Sequence, residues 1–363
     1  LSQWGHEFRT AYVNLKAMRK TWPSVPILAM TATATAEVRE DVATNLGLKN
    51  GVYFSSGFNR PNLNYYVKKK SSQVFEEIAA WINQNHQNES GIIYCLSKKE
   101  TEEVSNKFAG MGFRCDFYHA DVPLEARTQV QKKWMANKLQ FISATIAFGM
   151  GINKPDVRFV IHFCLPKSPE GYYQESGRAG RDGLPADCIL YYAYKDKARM
   201  DTLIYHSFRE NRNKVQFTNN QTRLKQMVAF CTNESDCRRT LMIEYFGQKF
   251  DRKECNGCCD NCQNPAPIEL VDCTNHARNI VDMIMDLQKS FSNAQEGKTA
   301  LIDVYLGKKS KKIQQCGYDQ SKYYGKGSDL DAHMVERLLT NLGLDFIITE
   351  DYKNTQHGVI SSF

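Results

Sequence analysis

A run rich in glycine and arginine, from Gln174 to Gly183, is the segment of this chain best suited to chemistry. It contains Arg178 and Arg181, and two residues three apart share one face of a helical turn. A planar guanidinium offers fixed donors to phosphate oxygens. Such a pair can neutralise the charge that develops on a transferring phosphoryl group. For the run taken alone, a glycine-rich surface turn with two solvated arginines is the alternative.

A second concentration of reactive side chains follows, because five of the twelve cysteines fall within a short stretch. They are Cys237, Cys255, Cys258, Cys259 and Cys262. Zinc favours four thiolates in a tetrahedral array. Two adjacent Cys-x-x-Cys pairs, however, leave too little chain between them to wrap one ion. A reduced cysteine-rich loop is the other interpretation.

The composition restricts the class of protein. A chain of 363 residues can form two or three domains, and its net charge of +7 permits nucleic-acid binding without requiring it. No apolar run approaches the roughly 20 residues that span a bilayer, and no signal peptide is evident, so we expect no membrane and no disulfide scaffold. The chain opens on Leu1 within a motif-like segment, and we therefore expect a fragment.

Short β-rich runs alternate with helical patterns between about residues 63 and 194. The runs are Leu63–Val67, Gly91–Leu96, Cys115–Tyr118, Phe141–Ala144, Arg158–Phe163 and Cys188–Tyr194. This alternation predicts βαβ units and a parallel sheet covered on both faces. Ligands bind beyond the carboxyl ends of such strands. The loops after Ala144 and Phe163 therefore border a candidate site.

Helical segments flank this region on both sides. The sequence before it predicts a strand at Ile27–Met30 and a helix from about Ala36 to Leu46, and a polar helical stretch after it leads into the cysteines. Beyond residue 267, helices followed by a short hairpin favour a winged helix, although the spacing alone fits other α+β folds. Those elements are predicted as helices near Asn275–Lys289 and Asp331–Leu342 and a strand at Leu344–Glu350.

Two further segments could contact nucleic acid. Ser2–Arg9 places Trp4, Phe8 and Arg9 close together, and aromatic faces stack on unpaired bases while a guanidinium holds the phosphate. A helix start that uses the two aromatic residues as core anchors is the alternative. Phe141–Ile152 is a strand that enters a glycine-bearing loop, which taken singly is a common βα turn.

Taken in order, these segments resemble the RecQ family of DNA helicases, nearest to its eukaryotic Bloom-syndrome branch. The matching segments are Ser2–Arg9, Ala29–Thr35, Gly91–Ser97 with Tyr118–Ala120, Ala144–Asp156 and Gln174–Gly183. The resemblance is dense over residues 1 to about 264 and loose over 268–363. It implies a parallel-sheet, RecA-like α/β lobe between other domains. The implied domains are a first-lobe remnant (1–57), the second RecA-like lobe (58–200), a helical zinc-binding subdomain (201–264) and a winged helix (268–363).

The resemblance also implies roles for individual residues in an ATP-driven motor that unwinds duplex DNA in the 3′ to 5′ direction. Arg178 and Arg181 reach the γ-phosphate across a cleft between two lobes, with Gln174 nearby. The coupling of DNA to the nucleotide falls to Trp4, Phe8, Arg9, Thr31, Thr33 and Thr145. Gly149 and Gly151 belong to the nucleotide side.

For the metal and the C-terminal unit, the resemblance selects one set of residues each. Structural zinc is held by Cys237, Cys255, Cys259 and Cys262, which leaves Cys258 as a spare thiol. The winged helix grips duplex DNA, and lysine contacts to phosphate make such binding salt-sensitive. The candidate contacts are Lys308, Lys309, Lys311 and Lys312, for which a solvated loop is the alternative.

The sequence departs from the family pattern in one respect. The phosphate-binding glycine loop and the magnesium-binding Asp-Glu pair of the family precede the aromatic segment, and this chain starts after both. ATP and Mg²⁺ are therefore expected in the complete protein, and this fragment alone is not expected to hydrolyse ATP. Glu296–Thr299 imitates a phosphate loop, but such a loop needs glycine five positions before Gly297, where Ser292 stands.

The leading hypothesis is a fragment of an ATP-dependent DNA helicase that acts on single-stranded and forked DNA in recombination and repair in the nucleus. A type IA topoisomerase is a partner expected from the resemblance alone. The competing hypothesis is a non-enzymatic DNA-binding or scaffold protein with zinc and winged-helix parts. An RNA helicase is a weaker third, because the cysteine cluster after the arginine run disfavours it.

Overall fold

The computed structural model describes residues 14–31, 33–48, 51–149, 152–265, 269–291, 296–355 and 358–362. The chain forms two compact units, one of Leu1–Tyr191 with Ser235–Pro265 and one of Tyr192–Glu234 with Ala266–Phe363. The cysteine-bearing segment therefore belongs to the first unit, and the helices that precede it belong to the second. The domain boundaries expected from the resemblance stay predictions.

A six-stranded sheet forms the centre of the first unit. Its strands are β1 (Leu63–Lys69), β2 (Ser90–Tyr94), β3 (Cys115–Tyr118), β4 (Phe141–Ala144), β5 (Val157–His162) and β6 (Ala186–Tyr192). Their order is β1-β6-β5-β2-β4-β3, and the pairs β2–β4, β2–β5, β3–β4 and β5–β6 are parallel. The predicted parallel α/β sheet is confirmed.

Helices connect the strands and continue through the rest of the chain. They are α1 (Lys16–Thr21), α2 (Ala36–Leu46), α3 (Val74–Asn85), α4 (Lys98–Gly110), α5 (Leu124–Met135), α6 (Pro169–Ser176), α7 (Tyr194–Asn211), α8 (Lys214–Thr232), α9 (Arg238–Tyr245), α10 (Asp260–Gln263), α11 (Thr274–Ser290), α12 (Lys298–Tyr305), α13 (Lys311–Cys316) and α14 (Ala332–Leu344). None of the helices that the structure describes is long and apolar enough to cross a bilayer.

The central strands are short continuous apolar runs because the sheet is covered on both faces. Every residue of β2 and β4 is buried. In the register of β2 with its two neighbours, Tyr94 lies level with Ala144 and His162. The carboxyl ends of three strands therefore meet at one edge, and the loops that leave this edge carry the candidate site.

The predicted strand at Ile27–Met30 is wrong for the residues described. This segment has no ladder partner there, and Leu28 and Met30 are 78% and 85% exposed. An apolar run becomes a buried strand only where neighbouring strands take up its backbone hydrogen bonds. The predicted helix that follows is present, and Thr35 caps it by accepting a hydrogen bond from the Val38 amide.

The second unit combines α7 and α8 with a small α+β module. Its core is formed by apolar residues of α11, α12 and α14. A two-stranded antiparallel hairpin, β7 (Asp351–Thr355) with β8 (Gly358–Ser362), completes the winged-helix part. The predicted strand at Leu344–Glu350 is wrong, because α14 extends to Leu344 and Phe346 adopts a left-handed φ of +58° that interrupts extended backbone.

Candidate functional site

The arginine run begins on α6 and continues beyond its end. Ser168 caps this helix, which stops at Ser176. Arg178 and Arg181 therefore lie in the turn that follows, and the expectation that they share a helical face is wrong. The turn forms because Gly180 adopts a left-handed φ of +53°, which glycine allows at little cost.

The loop that follows β4 holds the guanidinium of Arg178. Its Nη1 donates to the carbonyl oxygen of Gly149 at 2.5 Å. A Cβ at position 149 would lie 2.7 Å from Nη2, so glycine leaves the space that this guanidinium occupies. Nearby, the hydroxyl of Tyr94 donates to the Phe148 carbonyl, and burial raises the pKa of this tyrosine. Arg178 is thus held here by a neutral carbonyl oxygen, with no ion pair to a carboxylate of the described residues, and its charge remains available to an anion.

Arg181 contacts the same loop from the next position in the turn. Its Nη1 donates to the carbonyl oxygen of Ile152 at 2.8 Å. Burial lowers the pKa of Arg181, and the guanidinium groups of Arg178 and Arg60 lower it further. The arginine nevertheless stays charged at neutral pH, since its ordinary pKa lies above 12. Several cations close together favour a ligand of high negative charge density, such as a polyphosphate.

Gln174 joins α6 to the threonine-rich segment near the start of the chain. Its Nε2 donates to Oγ1 of Thr33 at 2.6 Å, and Thr33 is buried. The Thr31 hydroxyl in turn donates to the Thr33 carbonyl at 2.9 Å. Three residues that the sequence assigned to adjoining roles are therefore connected in the structure.

Sequence reasoning missed a buried histidine beneath the arginine run. Nε2 of His162 lies 2.8 Å from the Glu175 carboxylate, and its ring stacks on Tyr94 at 5.3 Å between centroids. His162 is at the last position of β5 and is 1% exposed. A histidine at the carboxyl end of a buried strand was the available signal. Its bond orients Glu175, the neighbour of Gln174 on α6.

Of the remaining residues expected at this site, the structure describes only some. Thr145 follows β4 directly, and its amide donates to the Tyr118 carbonyl at the end of β3. It therefore lies at the same carboxyl edge of the sheet. Trp4, Phe8, Arg9 and Gly151 lie outside the described residues.

Four cysteine sulfurs of the first unit form a compact group. The Sγ atoms lie within 4.8 Å of one another and belong to Cys237, Cys255, Cys259 and Cys262. Tetrahedral zinc with Zn–S bonds of about 2.3 Å separates its sulfurs by about 3.8 Å, so the group matches the size of such a site. Cys258 is not in the group, and its backbone carbonyl instead accepts from the Tyr65 amide.

The protonation chemistry of these thiols also fits a dication. A hydrogen bond from Cys259 lowers the pKa of Cys237, whereas burial raises the pKa of Cys255. A crowded, buried thiol group therefore resists full ionisation by itself, and a soft cation supplies the charge that ionises all its members. Four thiolates leave no open coordination position, so zinc here is structural.

The four lysines predicted to contact DNA are all exposed but are not equivalent. Lys308 lies 3.4 Å from the Asp303 carboxylate, and Lys312 lies 2.5 Å from that of Glu296. Within the part of the chain that the structure describes, Lys309 and Lys311 make no ion pair. Only these last two lysines offer an uncompensated charge to phosphate.

The segment that imitates a phosphate loop has a structural role. Lys298 is largely buried, and its Nζ donates to Oγ1 of Thr340 at 2.6 Å and lies 3.7 Å from the centre of the Tyr194 ring. Burial lowers the pKa of Lys298 to about 8. Its ammonium is occupied inside the second unit, which supports the rejection of this segment as a nucleotide site.

Three known protein families match successive parts of the chain. Residues 69–183 match the helicase conserved C-terminal domain, and this region contains the arginine run and the loop after β4. Residues 194–263 match the RecQ zinc-binding family, and residues 267–361 match the RQC domain. The sheet, the arginine site and the cysteine cluster thus define the carboxyl-terminal lobe of a helicase with an attached zinc element, the name that we give to Ser235–Pro265.

Curated proteins are similar to this chain over nearly its whole length. The chain is 40% identical over its whole length to the ATP-dependent helicase SGS1 of Saccharomyces cerevisiae, of which it covers 25%. It is 40% identical over 97% of its length to the RecQ-like DNA helicase BLM of Xenopus laevis, covering 26%, and 38% identical over 99% to the ATP-dependent DNA helicase Q1 of Mus musculus, covering 53%. The chain belongs to the RecQ family of helicases. It spans between about a quarter and a half of these relatives.

Proposed function

We propose that this chain is the second lobe, zinc element and winged helix of an ATP-dependent helicase that unwinds DNA in the 3′ to 5′ direction. In this proposal Arg178 and Arg181 contact a triphosphate that is held, with Mg²⁺, by a nucleotide-binding lobe of the complete protein. They supply positive charge as the phosphoryl group transfers, which is the role of an arginine finger. We propose that the printed chain alone does not hydrolyse ATP.

One observation carries this proposal. The two guanidinium groups are held by neutral carbonyl oxygens at the carboxyl edge of the sheet, at Gly149 and Ile152. Within the described residues neither guanidinium lies in an ion pair with a carboxylate. Donors that are held in place before the reaction, and whose charge no carboxylate neutralises, are what transition-state stabilisation requires.

The DNA side of the proposal rests on three features. Thr145 lies beside Tyr118 at the sheet edge, the winged-helix part exposes Lys309 and Lys311, and the RQC domain covers residues 267–361. We propose that single strands pass along the sheet edge and that the winged helix contacts the duplex of a fork. Action in recombination and repair in the nucleus, and partnership with a type IA topoisomerase, belong to this proposal through the family.

The test measures ATP turnover in a protein that joins this chain to the nucleotide-binding lobe of its own gene. Arg178→Ala and Arg181→Ala should each lower the turnover number by about a thousandfold or more, with the affinity for DNA retained. Arg114→Ala is a matched control, because Arg114 precedes β3 at the opposite edge of the sheet and contacts Asn88 and Asn137. Full turnover in both arginine variants would refute the motor. DNA binding without any turnover in the parent protein would favour the non-enzymatic binder.

A further inference from the structure

A short segment, Phe58–Asn62, lies between the arginine run and the zinc element, and we call it the bridging segment. The Phe58 ring stacks on Phe246, just after α9, with 4.4 Å between centroids and 16° between planes. It also meets the Tyr173 ring of α6 edge-on at 5.9 Å, and the Tyr173 hydroxyl donates to the Phe58 carbonyl at 2.9 Å. The sequence predicts only a connector here, yet the segment contacts both functional elements of the first unit.

Arg60 of the bridging segment holds the turn that carries the two functional arginines. Its Nη1 donates to the Gly177 carbonyl at 3.2 Å, and its Nη2 donates to the carbonyls of Ala179 and Gly180 at 3.0 and 2.9 Å. These three carbonyls flank Arg178 on both sides in the chain. A single planar guanidinium therefore fixes the backbone from which Arg178 projects.

Asn62 makes a second set of hydrogen bonds to the same turn. Its Nδ2 donates to the carbonyls of Gly180 and Leu184, both at 2.8 Å. A Cβ at position 180 would lie 2.4 Å from this nitrogen and 2.7 Å from the Leu184 oxygen. The left-handed glycine thus brings the backbone close enough for the bridging segment to bind it.

Arg239 holds the bridging segment from the side of the zinc element. It is 2% exposed, and its Nη1 donates to Oδ1 of Asn59 at 2.7 Å and to the carbonyl of Arg60 at 2.9 Å. Its Nη2 donates to the Leu63 carbonyl at 2.8 Å. No carboxylate of the described residues lies within ion-pair distance of this guanidinium. Burying a cation beside neutral acceptors costs desolvation energy. Arg239 therefore contributes mainly by fixing the geometry of the bridging segment.

The position of Arg239 depends on the cysteine cluster. Arg239 stands two residues after Cys237, in the first turn of α9. The neighbouring Arg238 pairs with the Asp260 carboxylate at 2.9 Å, and Asp260 also accepts from the Val67 amide of β1. Residues adjacent to the metal ligands therefore bond the zinc element to the sheet. From this contact Arg239 extends to the bridging segment.

We propose that Arg239 and Arg60 are positioning residues through which the zinc element sets the geometry of the arginine run. In this arrangement the cysteine cluster orders α9, Arg239 holds the bridging segment, and Arg60 fixes the carbonyls around Arg178. Zinc thereby has a second role in addition to folding its own region. The turnover part of the test rests on the proposed function, whereas the structural part does not.

The structural test follows hydrogen exchange of the backbone amides at 177–183 in the 363-residue chain. These amides include that of Gly180, which donates to the Val157 carbonyl at 2.9 Å. Arg60→Lys and Arg239→Lys should each accelerate exchange in this turn by about tenfold, since each lysine loses the planar fork but keeps the charge. Arg252→Lys is the matched control, because Arg252 contacts Asn261 within the zinc element and not the bridging segment.

Removal of zinc tests whether the effect of the metal reaches the turn through Arg239 or through a general loss of structure. Chelation of zinc from the unsubstituted chain should accelerate exchange at 177–183, and this acceleration should be much smaller in Arg239→Lys, where the link is already broken. One zinc per chain should remain in Arg60→Lys before chelation. Unchanged exchange in both lysine variants, or an equal response to chelation with and without Arg239, would overturn the proposal. If Arg239→Lys fails to fold, the same exchange measurement is made on Arg60→Lys. Unchanged exchange at 177–183 in that variant would then overturn the proposal.

The functional test uses the protein that includes the nucleotide-binding lobe. Arg60→Lys and Arg239→Lys should lower the turnover number by up to about a hundredfold with the KM for ATP within about twofold, because a displaced Arg178 acts on the transition state. A rise in KM with unchanged turnover would contradict a positioning role. If Arg178→Ala itself keeps full turnover, the motor proposal fails, and the exchange measurement still decides the link between zinc and the turn.

Discussion

Gln174 donates from Nε2 to Oγ1 of Thr33 at 2.6 Å, although 141 positions separate the two residues in the sequence. The bond connects the helix that leads into the arginine run with a segment that the family resemblance assigns to DNA coupling. Because Thr33 also engages Thr31 through its backbone, a shift of either threonine reaches α6 directly. In the proposed function, this contact links the segment assigned to DNA coupling with the helix that leads to the arginine run.

This contact predicts that Gln174→Ala lowers the DNA-stimulated rate of ATP turnover more than the basal rate, by about tenfold for one lost hydrogen bond. Thr33→Val should have a similar effect, and the double variant should be no worse than either single one, because both remove the same bond. Gln263→Ala is the control, since the side chain of Gln263 hydrogen-bonds only the hydroxyl of the half-buried Tyr66 in the described structure. Additive losses in the double variant would show that the bond does not couple the two segments.

Gly149→Ala should reduce turnover by a larger factor than its effect on stability explains. The added Cβ would lie 2.7 Å from Nη2 of Arg178, which is the far end of a flexible side chain and can move away. The displaced guanidinium would then miss the phosphate, and a fall of about a hundredfold in the turnover number is expected. Gly110→Ala is the matched control, because no atom lies within 4 Å of a Cβ at that position. Normal turnover with a lowered melting temperature would indicate that Gly149 matters for folding alone.

The sequence predicted the sheet well because its signals are local. Short β-rich runs between helical patterns located β3 and β4 at their observed bounds. The strand at Ile27–Met30 failed because an apolar run does not reveal whether it has neighbours. The hairpin was misplaced because the strand prediction followed the apolar run Phe346–Ile348 instead of the more polar segment Asp351–Thr355.

The residues expected at the candidate site stay predictions, and sequence reasoning missed the contacts that support them. Arg178, Gln174 and the cysteine cluster have recognisable spacing, so a pattern can find them. Arg60 and Arg239 act on backbone carbonyls far away in sequence, at Gly177 and Leu63 for example, and carbonyls have no sequence signature. Contacts of this kind follow only from the three-dimensional structure.

The cysteine cluster predicts a clear difference between two adjacent thiols. Cys259→Ser should lose the bound zinc, because Cys259 belongs to the group of four sulfurs, whereas Cys258→Ser should retain one zinc per chain. A chelator should release that zinc from the unsubstituted chain and unfold the region after Asp236, since a structural zinc site contributes folding energy. Metal analysis and the thermal melting of both variants check this. Zinc loss from Cys258→Ser, or release without any structural loss, would contradict the assignment.

The exposed lysines of the winged-helix part predict a ranking for DNA binding. The double variant Lys309→Ala with Lys311→Ala should weaken the binding of forked DNA to this chain and lower the slope of log affinity against log salt by about 2, one for each lost phosphate contact. The matched pair Lys308→Ala with Lys312→Ala should change the slope less, because these lysines are already paired with Asp303 and Glu296. Titrations at several salt concentrations measure both slopes. Equal slopes for the two pairs would contradict the ranking.

His86, a histidine near the amino ends of the strands, predicts that the free energy of unfolding depends on pH. Burial by itself lowers the pKa of His86, but hydrogen bonds to Asp187 and Glu89 outweigh it and raise this pKa above its ordinary value. The folded protein therefore holds the proton more tightly than the unfolded chain does. The resulting stabilisation is complete below about pH 6.5 and is lost as the pH rises through the higher pKa of the folded state.

His86→Phe removes this titration while keeping an aromatic ring against Phe159, which lies 5.3 Å from the His86 ring. The free energy of unfolding of the unsubstituted chain, relative to this variant, should be greatest near pH 6 and fall by up to about 1.4 kcal/mol for each unit by which the pKa is raised. Denaturant unfolding followed by tryptophan fluorescence reports on it, because Trp81 lies 4.6 Å from His86. His333→Gln is the control, since His333 is exposed and pairs only with the exposed Glu234 among the described residues. A constant difference from pH 6 to pH 8 would mean that the two carboxylates do not hold the His86 proton.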